Sequence, residues 1–385
     1  MSNKRKILDL SFLSLVFILL LALAGCDEKP EPQPEKHGFL HLGLVVPKSG
    51  PLEPWGRSLS RGAAMAVAKA NTGRRDGRRL FKLLIEDEAN TAGIPEAKRL
   101  ANDPRVPVII GHLTERSLAK AAGLYLKSGR PVLLPVLGGA DIPPLGQGLF
   151  YRLMASDPAQ ARSLAEFARE KLKVKRVLVI HEDSKSGRLL SDTFSKVLKK
   201  DSGAEIRQVA YPKNPDALLK LAGDAAAQKT DAVFLAVHAR PAVYLAQALN
   251  KAGLETVLLG THALALADAV SLLDRLSKQA FVSLPFNPLA QSEAGQAFSK
   301  AFEAKYHCFP DWLGVLAYDA VTLAMEAVDR AGENPGKIKA HLDQISAPDK
   351  AFHGLAGDYY FKSQGRGIGP VYIVKVAPAL MGYLP

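Results

Sequence analysis

The chain has little of what an enzyme or a disulfide scaffold needs. Two cysteines occur in 385 residues, which excludes a disulfide framework and a zinc site of four cysteines. No Gly-x-Ser-x-Gly, His-Glu-x-x-His or Cys-x-x-Cys motif is present. The nucleophile elbow, the metalloprotease helix and the dithiol redox pair are therefore all missing. Aromatic residues make up 7% of the chain and are not interleaved with basic ones, as a single-stranded nucleic-acid platform requires. One long apolar run exists, residues 10–24, and it is shorter than the ~20 residues a membrane-spanning helix needs. What remains is the mix of a globular protein, with 48% apolar and 23% charged residues. The length exceeds one ordinary core and suits two domains. Lys and Arg total 50 against 38 Asp and Glu, a net charge of +12. That balance raises nucleic acid, a membrane surface or an acidic ligand as partners.

The N-terminus reads as an address. Lys4, Arg5 and Lys6 precede the apolar run, which ends in Leu23-Ala24-Gly25-Cys26. This pattern is that of a secretory signal peptide, and its end resembles a bacterial lipobox. The resemblance implies cleavage before Cys26 and lipid on its thiol and amine, enough acyl chain for stable attachment to a membrane. The bland alternative is an ordinary signal peptide with a chance cysteine. Removing residues 1–25 takes away Lys4, Arg5, Lys6 and Asp9 and lowers the net charge from +12 to +10. Residues 27–37 are Pro-rich, charged and almost free of apolar side chains, so they read as an extended tether. Asp27 after Cys26 resembles the signal that holds enteric lipoproteins on the inner membrane; the leaflet stays open. Cys308 is then the lone thiol of the mature chain, expected as a buried or partly buried structural residue.

The body alternates strand and helix. Apolar runs at 40–46, 80–85, 106–110 and 132–134 are separated by helical patterns at 56–70, 95–102 and 115–127. Short connections in that order predict a parallel sheet with helices on both faces. The pattern restarts after Asp157, with helices at 158–172, 187–200, 215–228 and 241–252 and strands at 176–180, 205–209, 232–237 and 256–259. A strand at 280–284 and helices at 291–305, 312–331 and 335–345 follow. Two last strands, 357–361 and 370–376, flank Gly365-Arg366-Gly367 as a hairpin. The fold class is α/β: two doubly wound α/β lobes with a ligand cleft between them, where strands end and helices begin.

Three segments carry a family resemblance. They are Leu42-Gly43-Leu44-Val45-Val46-Pro47-Lys48-Ser49-Gly50-Pro51-Leu52 with Trp55-Gly56; Val108-Ile109-Ile110-Gly111-His112-Leu113; and Leu316-Ala317-Tyr318-Asp319-Ala320-Val321 after Phe302-Glu303-Ala304-Lys305-Tyr306. In this order the chain resembles the leucine/isoleucine/valine-binding proteins, type I periplasmic binding proteins that serve ABC importers. The resemblance spans about residues 39–376. It implies three crossovers, near Ala155, Pro285 and Leu355. One lobe would be 38–154 plus 286–355, the other 155–285 plus 356–385. It also implies a monomer that binds a small-molecule ligand, contacts an ABC transporter permease, uses no cofactor and is not an enzyme.

The resemblance maps the ligand site onto this sequence with changes. The serine that holds the ligand carboxylate in the family falls on Glu115, followed by Arg116 and Ser117. The family's threonine falls on Gly138, beside Gly139, with Val136 lining through its backbone. The acidic partner of the ligand ammonium falls on His262. Two pocket tyrosines fall on His238 and Ser186. The aromatic of the first loop is kept as Trp55. The scaffold is matched and the α-amino-acid chemistry is not. Each position has a structural alternative: Trp55 packing under its loop, Glu115 only capping a helix, His238 and His262 as satisfied loop histidines.

The resulting expectation is an extracytoplasmic, lipid-anchored solute-binding protein. It would capture an amino acid, an amide or a related small polar ligand by hinge closure. The alternative is a sensory or envelope-partner protein on the same fold with a rewritten or lost pocket. The basic run at 74–79 reads as a solvated turn or as a contact for anionic head groups. Nucleic acid is not expected as a partner.

Overall fold

The computed structural model describes residues 38–74, 79–89, 93–139, 148–200, 203–362 and 366–385. Residues 1–37, with the expected signal peptide, Cys26 and the expected tether, lie outside the described residues. So do residues 75–78 of the basic run and 363–365 of the Gly-rich segment. In chain order the strands are β1 Leu40–Val46, β2 Phe81–Asp87, β3 Ile109–Ile110, β4 Val132–Leu134, β5 Phe150–Arg152, β6 Arg176–His181, β7 Glu205–Ala210, β8 Ala232–Ala236, β9 Val257–Gly260, β10 Gln279–Leu284, β11 Phe352–His353, β12 Asp358–Lys362, β13 Arg366–Ile368 and β14 Tyr372–Lys375. The α-helices are α1 Glu53–Thr72, α2 Ile94–Asn102, α3 Glu115–Ser128, α4 Asp157–Phe167, α5 Lys185–Lys199, α6 Pro215–Ala227, α7 Ala239–Lys251, α8 Ala267–Leu276, α9 Glu293–Tyr306, α10 Trp312–Ala331, α11 Pro335–Gln344 and α12 Pro378–Met381.

Strands that are apolar on both faces must be covered on both faces, and the sheets obey this. One sheet has the order β2-β1-β3-β4-β5, all parallel. The other has the order β14-β10-β9-β8-β6-β7 and is parallel except for β14, which runs antiparallel to β10. The chain passes from the first sheet to the second between β5 and α4. It returns between β10 and α9, which packs Phe298 against Tyr318 of α10 with ring centres 4.7 Å apart.

The end of the chain differs from the sequence expectation. β12 pairs with β13, not with β14, and the pair stays beside β5. The third passage therefore lies at 369–371, after β13, and not near Leu355. The reason is steric. Gly367 and Gly369 press on the carbonyls of Arg152 and Leu153, where a Cβ would stand 1.4 Å and 1.9 Å from the oxygens. Glycine alone admits that approach. Strand β5, helix α8 and the short β13 also had no separate place in the sequence reading. Cys308 is exposed and not buried, because it follows His307, whose left-handed backbone ends α9. Its sulfur stands 3.5 Å from an Nη1 of Arg61.

Helix α10 is the interior element. Fifteen of its 20 residues are buried. It crosses α1 so closely that a Cβ on Gly62 would stand 1.9 Å from the Gly314 carbonyl oxygen. Its N-terminus is capped by Asp311, which accepts from Gly314 N at 2.9 Å and from the Ser58 hydroxyl. Burial holds the Asp311 carboxyl above its usual range. About two turns into the helix, Asp319 accepts from Leu355 N (2.7 Å), Ala356 N (3.0 Å) and Tyr359 OH (2.7 Å). Burial pushes the Asp319 carboxyl up to about 6, against those three donors, which favour the charge.

Two stability measurements follow. Gly62→Ala is expected to cost about 1–3 kcal/mol through the forced clash. Gly123→Ala, at a helical glycine with nothing within 4 Å, is expected to add about 0.5–1 kcal/mol. Urea unfolding of the two variants checks the contrast, and equal effects would contradict it. For Asp319, the folded carboxyl titrates above its unfolded value, so its contribution is full below that unfolded value and is lost as pH rises through about 6. The stability difference between the natural protein and Asp319→Asn should therefore shrink by up to about 3 kcal/mol from low pH to neutral pH. A difference independent of pH would contradict this.

Candidate functional site

The carboxyl ends of the parallel strands of both sheets face one cavity of about 570 Å³. This is where an open α/β sheet offers helix N-termini and irregular backbone to a ligand. From the first sheet come Trp55 in the opening turn of α1, Leu113 and Glu115 at the start of α3, and Val136, Leu137, Gly138 and Gly139 after β4. From the second come Asp157 at the start of α4, Glu182 after β6, Ser186 in the first turn of α5, His238 at the cap of α7, and His262 after β9. Trp312, the first residue of α10, Arg240, in the opening turn of α7, and the hydroxyl residues Ser184 and Thr261 complete the polar and aromatic lining.

Eight of the ten residues singled out from the sequence line this cavity: Trp55, Glu115, Val136, Gly138, Gly139, Ser186, His238 and His262. Arg116 and Ser117 do not. They line a separate surface depression with Ser49, Glu88 and Lys120, because successive residues of a helix start point in different directions. Ser117 instead belongs to a buried network. Its hydroxyl lies 2.7 Å from His112 Nδ1, which is also 2.7 Å from Glu88 Oε2, while His112 Nε2 lies 2.8 Å from the Tyr125 hydroxyl. Glu88 Oε1 accepts from Leu113 N at 2.8 Å. This network fixes the loop that carries Leu113 and Glu115 into the cavity.

Each lining group has a definite setting. Thr114 caps α3, accepting from Ser117 N, and leaves Glu115 in the first turn, where the helix dipole favours a negative charge. The Glu115 carboxylate covers Gly139: a Cβ there would stand 1.6 Å from Oε1. Asp157 holds the same position in α4, and its Oδ2 accepts from the Ser186 hydroxyl at 2.8 Å. Glu182 Oε1 accepts from His238 N at 2.9 Å and lies 2.7 Å from His238 Nδ1. His238 is otherwise exposed. His262 stands edge-on to Trp312 with ring centres 5.5 Å apart, so residues from the two sides of the cavity touch. Its Nδ1 lies 2.9 Å from Gln160 Oε1, which also accepts from the Ser283 hydroxyl at 2.9 Å. Burial lowers the His262 imidazole below its ordinary value. Trp312 Nε1 is buried and has no hydrogen-bond partner among the described residues.

Sequence reasoning missed Asp157, Glu182, Arg240 and Trp312. Asp157 and Glu182 follow predicted strand or crossover positions and obey the same carboxyl-end rule that picked out His238. Trp312 carried no such signal, since it opens a helix that looks like core. Behind the cavity, Arg152 is buried and donates to Gly139 O at 3.1 Å; burial lowers its guanidinium below the usual range. Among the described residues there is no group of three metal-ligating side chains, and no helix is long and apolar enough to cross a membrane.

The chain is similar to known proteins over the whole body that builds this cavity. A family model described as "Periplasmic binding protein" matches residues 40–379. A Leucine-, isoleucine-, valine-, threonine-, and alanine-binding protein of Pseudomonas aeruginosa is 25% identical over 311 residues, 79% of this chain and 82% of that one. An ABC transporter substrate-binding protein of Desulfitobacterium hafniense, solved in complex with Leu, superposes with a TM-score of 0.75 at 23% identity, covering 90% and 99% of the two chains. A solute-binding protein of R. palustris, solved with benzoate, gives a TM-score of 0.68 at 20% identity over 90% and 95%. The two lobes with parallel sheets, the cavity at their carboxyl ends and the match along nearly the whole body together establish that this chain belongs to the periplasmic binding protein family.

Proposed function

We propose that this chain is an extracytoplasmic, lipid-anchored solute-binding protein that captures one small polar ligand between its lobes and delivers it to an ABC permease. The observation that carries the reading is the cavity of about 570 Å³, open to both sheets and lined by helix N-termini, aromatic rings and acceptors. Such a cavity suits a ligand that binds the closed arrangement better than the open one, so that binding shifts the population toward closure. The three passages between the sheets supply the hinge. Among the described residues the Ser186 hydroxyl donates to Asp157 and is not paired with His238, whose Nδ1 faces Glu182; binding without turnover is the function proposed. Gly25-Cys26 supplies the anchor, and residues 27–37 the reach from the membrane.

A second reading is a sensory or envelope-partner protein on this fold. The histidine at 262, in place of an acid, favours it. The retained cavity weighs against a lost pocket.

Two measurements test the proposal. The full chain, extracted in detergent, should gain thermal stability with one class of a panel of amino acids, amides, amines and small carboxylates. A ligand present at 100 times its Kd contributes about 2.7 kcal/mol. A flat response across the panel contradicts solute binding. Cys26→Ser should move the protein from the membrane fraction of its host to the soluble fraction, and unchanged membrane attachment contradicts the anchor.

A further inference from the structure

The cavity presents acceptors where an amino-acid site would present donors. Glu115 and Asp157 sit in the first turns of α3 and α4. These helix ends would otherwise draw an anionic group of a ligand. The protein's own carboxylates occupy them, and the Glu115 carboxylate fills the space over Gly139. Glu182 adds a third carboxylate. Against these stand Arg152, buried behind the cavity and drawn to both Asp157 and Glu115, Arg240, which is exposed at the rim, and His238, which faces Glu182; three carboxylates thus meet two guanidinium groups.

The tautomer of His262 follows from its neighbours. Gln160 Nε2 donates to Ala155 O at 3.2 Å, which fixes the amide with Oε1 toward the imidazole. Oε1 can only accept, so His262 Nδ1 carries the proton. A neutral His262 then offers a lone pair at Nε2. The residue that stands in the place of an acid is thus an acceptor too, though an uncharged one. Trp55 and Trp312 add π-faces to the lining, and Leu190 and Leu266 add apolar surface.

We propose that the ligand is an organic cation, a protonated amine or amidine on an apolar body, that lacks a carboxylate. The cation meets Glu115, Asp157 and His262 Nε2, and the body lies against the indoles. The inference rests on the solute-binding reading and names the substrate class of the same cavity.

The test compares pairs that differ by the carboxylate. Calorimetric titration of the full chain in detergent uses 3-methylbutylamine against leucine, and benzamidine against benzoate. The expected result is binding of at least one cation at least tenfold tighter than its carboxylate counterpart. Glu115→Gln should weaken that cation at least tenfold while the unliganded melting temperature changes little. Long-range ¹H–¹⁵N spectra should show His262 Nε2 unprotonated at neutral pH. Leucine or benzoate binding as tightly as its cationic counterpart would overturn the inference and leave solute binding standing. Cation binding indifferent to Glu115→Gln, with the fold intact, would overturn it as well. Failure of all four probes would count against the inference; failure of the broader panel is what overturns solute binding.

Discussion

The contact on which the molecule depends is the crossing of α1 and α10 at Gly62 and Gly314. It brings two helix backbones to within the reach of a missing methyl group. With α10 held that deep, two positions along it do separate work. Trp312 reaches the cavity at the N-terminal end, and Asp311 caps that end from a buried position. Further along, Asp319 holds the backbone of residues 355 and 356 and the Tyr359 hydroxyl, and so fixes the segment that leads into the last strands. A single helix thereby couples the lining of the cavity to the path of the chain between the sheets. Polar groups buried so deeply are stable only because each carboxylate has donors around it.

Much of the fold was legible in the sequence, and the reasons are physical. The alternation of apolar runs with helical patterns gave both parallel sheets, because a strand buried on two faces has few other ways to be satisfied. The errors fell where local pattern and tertiary context part. The segment 366–368 is too short and too polar to announce a strand; it becomes one because glycine lets it lie on the backbone beyond β5. Helix α8 was passed over between two strands. Cys308 looked like a core residue by type and proved to be exposed, since the left-handed His307 ends the helix just before it.

The site was legible by topology more than by residue type. Positions at the carboxyl ends of strands, such as Gly138, His238 and His262, arrived at the cavity because the sheet carries them there. Arg116 and Ser117 did not, since a helix rotates its successive side chains by about 100°. The chemistry of Glu115 and Asp157 depends on which helix start each occupies. That is readable only once the caps are placed, Thr114 accepting from Ser117 N and Ser156 from Ala159 N. The His262 tautomer depends on Gln160, 102 residues away in the chain, and no local pattern encodes such a pairing.

The glycines at 367 and 369 carry a mechanical consequence. Two stretches of chain touch there through bare backbone, Gly367 on Arg152 and Gly369 on Leu153. A methyl group at either position would push the two stretches apart, so the spacing of the backbone here is set by two missing side chains.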